Sequence, residues 1–184
     1  MRRGIQALIP LAMVAIVLGA AFAMWSEVLK VNVTVNTGEV DVAFAKWWCS
    51  DKGPDPQARG FHNEEGKNVA NCSVTVEKVD TEHDVIKLKV TINNAYPGYT
   101  TDISMVIKNV GTVPVKLAGY SISSYDQNAL RVSLSIPSDT QIDPGDNSTY
   151  VLHITVLQGA EENAQYSFEV TLTFAQWNEV SGPE

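Results

Sequence analysis

The chain has 184 residues, a net charge of −8 from 13 Lys+Arg against 21 Asp+Glu, 45% hydrophobic residues and two cysteines. That length suits one domain with a substantial core, or a domain plus a targeting segment. The acid excess leaves no basic stripe to neutralise phosphates, which argues against nucleic acid as a partner and against polybasic attachment to anionic lipid. Collagen-like, disulfide-dense and disordered classes also fail on composition.

The first 24 residues stand apart. Arg2 and Arg3 precede an almost unbroken apolar run from Ile5 to Met24, and Ala21-Phe22-Ala23 supplies an A-x-A cleavage signal. The expectation is a hydrophobic leader helix acting as a secretory signal peptide over residues 1–23. Two other readings fit the same residues. About 20 apolar residues is roughly the span of a bilayer, so the run suits a retained anchor. It also resembles archaeal pilin leaders, in which cleavage follows a glycine (here Gly4) and the apolar helix is kept for the filament. All three put the rest of the chain outside the cytoplasm.

From Glu27 onward the apolar period is two, the signature of half-buried strands. Leu29, Val31, Val33 and Val35 alternate with Lys30, Asn32 and Thr34; Val40, Val42 and Phe44 follow. Ile86 to Ile92, Ile103 to Ile107, Leu130 to Ile136, Tyr150 to Val156 and Phe168 to Phe174 repeat the pattern. Turn chemistry separates the runs at Asn36-Thr37-Gly38, Tyr96-Pro97-Gly98, Asn109-Val110-Gly111 and Asp143-Pro144-Gly145-Asp146. The fold class predicted is all-β, a two-layer antiparallel sandwich over residues 37–184.

Residues 46–72 break the spacing and read as an irregular insertion. They carry Trp47 and Trp48, read either as a cap on the core or as a lateral or carbohydrate contact. Cys49 and Cys72 bracket it, and outside the cytoplasm they are expected to pair. Sequons at Asn32, Asn71 and Asn147 mark candidate glycosylation sites.

A phase change is the most informative feature. Before Thr37 the apolar residues occupy odd positions and after Gly38 even ones, so one regular strand could not bury both sets on one face. Either a bulge or turn at Asn36, Thr37 and Gly38 keeps both halves in one sandwich, or residues 24–36 leave the domain and add to a neighbour's sheet. In the second case Leu29, Val31, Val33 and Val35 are the anchors. Strand addition draws affinity from backbone hydrogen bonds and register from alternate side chains.

Several motifs carry a family resemblance. Trp25-Ser26-Glu27 and the run Val35-Asn36-Thr37-Gly38-Glu39-Val40-Asp41-Val42 resemble the mature start of TasA/camelysin-like secreted proteins. Tyr96-Pro97-Gly98-Tyr99, Ile107 to Val115 with its N-x-G-x-x-P pattern, Ile142 to Asp146, Tyr166 to Val170 and Phe174 to Asn178 are similar to that family's later strands. The resemblance spans roughly residues 25–44 and 85–178, and the segment around Trp47 to Asn71 does not map onto it. It implies a jelly-roll-like sandwich that polymerises into extracellular fibres of biofilm matrix or archaeal bundling pili. In such fibres the N-terminal segment of one subunit fills a groove in the next, here a donor running from near Trp25 to about Val35. The partners implied are identical subunits arranged head-to-tail, with lateral bundling of fibres.

Enzyme chemistry is not expected. No His-Glu-x-x-His, Gly-x-Ser-x-Gly or phosphate loop occurs, and His62, His83 and His153 are far apart in sequence. Asp51, Asp55, Glu64 and Glu65, and separately Asp139, Asp143 and Asp146, offer oxygen ligands without EF-hand spacing. Turn formation explains them equally well, so no metal, cofactor or small-molecule substrate is expected. The function expected is a secreted structural subunit of a cell-surface filament. The alternatives are a membrane-anchored binding domain and a type IV pilin-like subunit with a retained helix.

Overall fold

The computed structural model describes residues 10–18, 29–51 and 66–180. The cleavage signal at Ala21 to Ala23, the first residues of the expected donor, His62, Asp55, Glu64 and Glu65 lie outside the described residues. By compactness the chain divides into residues 1–37 and 38–184.

In the first unit, residues 10–18 form the helix α1, with Leu11, Met13, Val14, Ile16 and Val17 exposed. Among the described residues no helix is long and apolar enough to cross a membrane. Residues 29–37 have neither helix nor ladder assignment. The strand expected over Leu29 to Val35 is therefore not formed within this chain. A ribbon cannot satisfy its backbone N–H and C=O groups alone, so a strand pattern becomes a strand only beside a partner.

The second unit is mostly β and wholly antiparallel. Its strands are β1 (Val42–Cys49), β2 (Asn71–Val79), β3 (Val85–Asn93), β4 (Thr100–Asn109), β5 (Val115–Ile122), β6 (Leu130–Ser135), β7 (Gln141–Ile142), β8 (Asn147–Val156) and β9 (Val170–Gln176). They form a four-stranded sheet in the order β1-β4-β8-β6, a hairpin β2-β3, and a three-stranded sheet β7-β5-β9. The expected runs at Ile86, Ile103, Leu130, Tyr150 and Phe168 correspond to β3, β4, β6, β8 and β9. Three strands were not anticipated. β2 begins inside the supposed irregular insertion and bulges between Val76 and Val79. β5 loses its alternation where Leu117 and Gly119 shift register, and β7 is two residues long. The insertion shrinks accordingly, because Lys46 to Cys49 lie in β1 and Asn71 and Cys72 in β2.

One face of the four-stranded sheet supplies the buried core: Ile103, Met105 and Ile107 from β4, Leu152, Ile154 and Val156 from β8, Leu130 and Val132 from β6. Val74, Leu88, Val90 and Ile92 of the hairpin and Leu117, Leu172 and Phe174 of the three-stranded sheet pack against the same cluster. In β1 a bulge at Ala45 sets Phe44 opposite Ile107 but Lys46 opposite Val106. The extra residue flips the phase, so Val42 and Phe44 face the core before it and Trp47 and Cys49 after it. Trp47 is thus half-buried while Trp48 is exposed. A Cys49–Cys72 disulfide, Cα to Cα 6.1 Å, joins the end of β1 to the start of β2.

Candidate functional site

The ribbon at residues 29–35 presents the clearest anomaly. Leu29, Val31, Val33 and Val35 are 88%, 84%, 75% and 77% exposed. Single apolar residues on a surface need no explanation, but four aliphatics at strand spacing on one ribbon form an adhesive edge. Seven extended residues reach about 23 Å. Burying four such side chains is worth roughly 6–12 kcal/mol before the cost of ordering the ribbon.

The opposite anomaly lies in the two smaller sheets. Their core-facing residues Val74, Leu88, Val90, Leu172 and Phe174 are only half-buried, whereas Ile103 and Ile154, facing them in the same cluster, are 0% and 4% exposed. β9 ends its sheet, and β2 and β3 pair only with each other. Among the described residues these strands leave backbone edges unpaired beside incompletely covered apolar side chains.

Between the ribbon and β1 the chain is pinned. The N–H groups of Val110 and Gly111 both donate to the Asp41 carbonyl at 3.2 Å. Thr112 N–H donates to the Glu39 carbonyl at 3.0 Å, and Glu39 N–H donates to Thr112 Oγ1 at 2.8 Å. Gly111 must be glycine here, since a Cβ would fall 2.5 Å from the Glu39 carbonyl oxygen and 2.7 Å from Asp41 N. Gly38 is likewise held by close approach, its Cβ position colliding with Val113 Cγ1. Residues 36–38 form neither turn nor bend, so at Asn36, Thr37 and Gly38 the chain reaches the clamp without the expected handover turn. Asn109 completes the clamp. Fully buried, it donates through Nδ2 to the carbonyls of Val113 (2.8 Å) and Ile142 (2.9 Å) and accepts from Gly111 N–H.

Asn32, Asn71 and Asn147 are all exposed. The carboxylates behave as turn-formers. Asp80 Oδ1 accepts the N–H groups of Glu82 and Asp84 at 2.9 Å, closing the β2–β3 connection. Asp139 Oδ1 accepts Gln141 N–H, and Asp143 Oδ1 accepts Gln141 Nε2. Asp51 Oδ2 accepts the Tyr99 hydroxyl at 2.6 Å. The structure also gathers Asp41, Glu82 and Asp84 within 4.8 Å, a trio hidden by a separation of some forty residues. Repulsion from Glu39 and then Asp41 raises the Glu82 carboxyl above its ordinary value.

One further grouping escaped the sequence reading. His153 Nδ1 lies 2.7 Å from Asp102 Oδ1, and its Nε2 lies 2.8 Å from Ser135 Oγ. The three residues sit on adjacent strands β4, β8 and β6, with Asp102 directly opposite His153. The available signal was His153 at an outward position of an alternating strand, but nothing in one chain order says which strands become neighbours.

Comparisons with protein-family models, with curated proteins and with solved structures returned no match.

Proposed function

We propose that this chain is a secreted structural subunit that polymerises head-to-tail, the ribbon at residues 29–36 of one copy completing the half-covered apolar face of the next. The single observation that carries this is the exposure of Leu29, Val31, Val33 and Val35, at 75% or more each, on a ribbon with strand period. The half-buried inner residues of β9 and of the β2–β3 hairpin support it from the receiving side. On this reading the two smaller sheets are the incomplete second layer of a jelly-roll-like sandwich, and the donated strand adds the missing backbone hydrogen bonds. The contact is between different surfaces, so it does not close, and its repetition gives a filament. The Cys49–Cys72 disulfide is compatible with an extracellular site of action. A fibre of this kind serves matrix formation or adhesion between cells.

The test is the paired substitution Val31→Asp with Val33→Asp. Each carboxylate would be carried into an apolar groove at a cost of several kcal/mol, so fibres should be lost by electron microscopy while a folded, secreted monomer remains. Normal fibres from that variant would overturn the assignment. A second reading, a filament or anchor built on a retained apolar helix, rests on α1 at residues 10–18. Mass spectrometry of the mature N-terminus separates them: a start near Met24 supports strand exchange, Ile5 a helix-cored pilus, and an intact leader an anchor.

A further inference from the structure

We infer that Ser135, His153 and Asp102 form a nucleophilic triad on the outer face of the four-stranded sheet, with Ser135 accepting an acyl group from small esters. This is independent of the strand-exchange reading. Acyl transfer to serine needs a base on the hydroxyl and a group that orients the base, and recognition rests on geometry rather than chain order. Both contacts are at hydrogen-bond distance, Oγ to Nε2 at 2.8 Å and Nδ1 to Asp102 Oδ1 at 2.7 Å. A carboxylate on Nδ1 holds the proton there and leaves Nε2 free to accept from the serine. Asp102 is itself fixed, its backbone N–H donating to Ser50 Oγ at 2.9 Å and its carbonyl accepting Ser50 N–H at 2.8 Å.

The edge position of β6 supplies the remaining element, a donor for the developing oxyanion. Leu130 N–H donates to Asp126 and the Val132 carbonyl faces Tyr125, so both residues turn their backbone groups away from β8. Backbone direction alternates along an antiparallel strand, so Leu134 N–H also points off this edge, one residue before the nucleophile. Ser135 is exposed and the Asp102 and His153 side chains are 49% and 40% accessible, so a substrate can reach them. In the step, Ser135 Oγ bonds to the ester carbonyl carbon and its proton passes to His153 Nε2. The carbon–alkoxy bond then breaks, and the same proton leaves with the alcohol. The products are acyl-Ser135 and free alcohol, with no change of oxidation state.

The experiment treats the full-length folded chain with a fluorophosphonate, which forms a stable serine adduct by loss of fluoride, and maps adducts by peptide mass spectrometry. Ser133 is the internal control: it occupies the same exposed face of the same strand and lies directly opposite His153, while the contact to His153 Nε2 is made by Ser135. General-base assistance is worth about 100-fold or more in protected sites. At this open face Ser135 should label at least about tenfold faster than Ser133. His153→Gln should bring Ser135 down to the rate of Ser133, and Asp102→Asn should fall between the two. Circular dichroism and thermal unfolding would verify that each variant is folded. Equal labelling of Ser133 and Ser135 in the parent chain, or undiminished labelling of Ser135 in a folded His153→Gln variant, overturns the inference.

Discussion

Leu29 to Val35 and Tyr150 to Val156 are written in the same language, four apolar residues at every second position, yet they end in opposite environments. In β8 the set Tyr150, Leu152, Ile154 and Val156 is 0% to 7% exposed, while the N-terminal set is 75% to 88% exposed. The difference is one of partners. β8 has β4 on one side and β6 on the other, and a core beneath it; the ribbon has no ladder in its own chain. Alternation thus fixes which side chains share a face, but leaves open whose sheet that face will meet.

Charge insertion should break this symmetry most sharply. Ile154→Asp places an unpaired carboxylate in the core and should unfold the monomer, a loss of about 4 kcal/mol or more. Val33→Asp should leave the monomer's unfolding free energy, read from denaturant unfolding, unchanged within about 0.5 kcal/mol. Equal destabilisation by the two would mean that the ribbon is already buried in its own chain. Next in size is the covalent tie. Replacing Cys49 and Cys72 together by alanine should cost about 3 kcal/mol through the loosened unfolded chain, read from urea unfolding of parent and variant.

The smallest effect sits inside β8 itself. The Tyr150 ring is fully buried, edge-on to Phe174 at 6.0 Å between centroids, and its hydroxyl lacks a hydrogen-bond partner among the described residues. Burial pushes the phenol from 10.0 up to about 12. The unfolded chain therefore loses that proton first as pH rises, and stability should fall between about pH 10 and 12, by about 2–3 kcal/mol in all. Tyr150→Phe removes an unsatisfied polar atom while keeping the ring. It should hold or raise stability at neutral pH by about 1 kcal/mol and flatten the alkaline decline. A marked loss at pH 7 would show that the hydroxyl has a partner after all.

Much of the β architecture was readable because β3, β4, β6, β8 and β9 keep strict alternation between strong turns. Gly98 and Gly145 mark two of those turns, with φ of +92° and +87° where side chains are disfavoured. Bulges hid the rest. At Ala45 in β1 and between Leu117 and Gly119 in β5, one added residue reverses the phase on which the pattern depends. The phase change at residues 36–38 was legible, but its form was not: close packing of Gly38 on Val113 replaces the expected turn. Clusters made across strands were beyond reach. Asp102, His153 and Ser135 meet only because β8 lies between β4 and β6, a fact of sheet order that local periodicity does not encode.

The clamp around Glu39 and Asp41 has a mechanical corollary. A pull on residue 37 enters the second unit through this seam and runs along β1, whose bonds to β4 lie crosswise to that direction. Drawing β1 out lengthwise must therefore shear many bonds at once instead of unzipping them singly, and Cys49 still tethers its far end to Cys72. On the filament reading proposed above, tension carried from one subunit to the next would load this seam in shear.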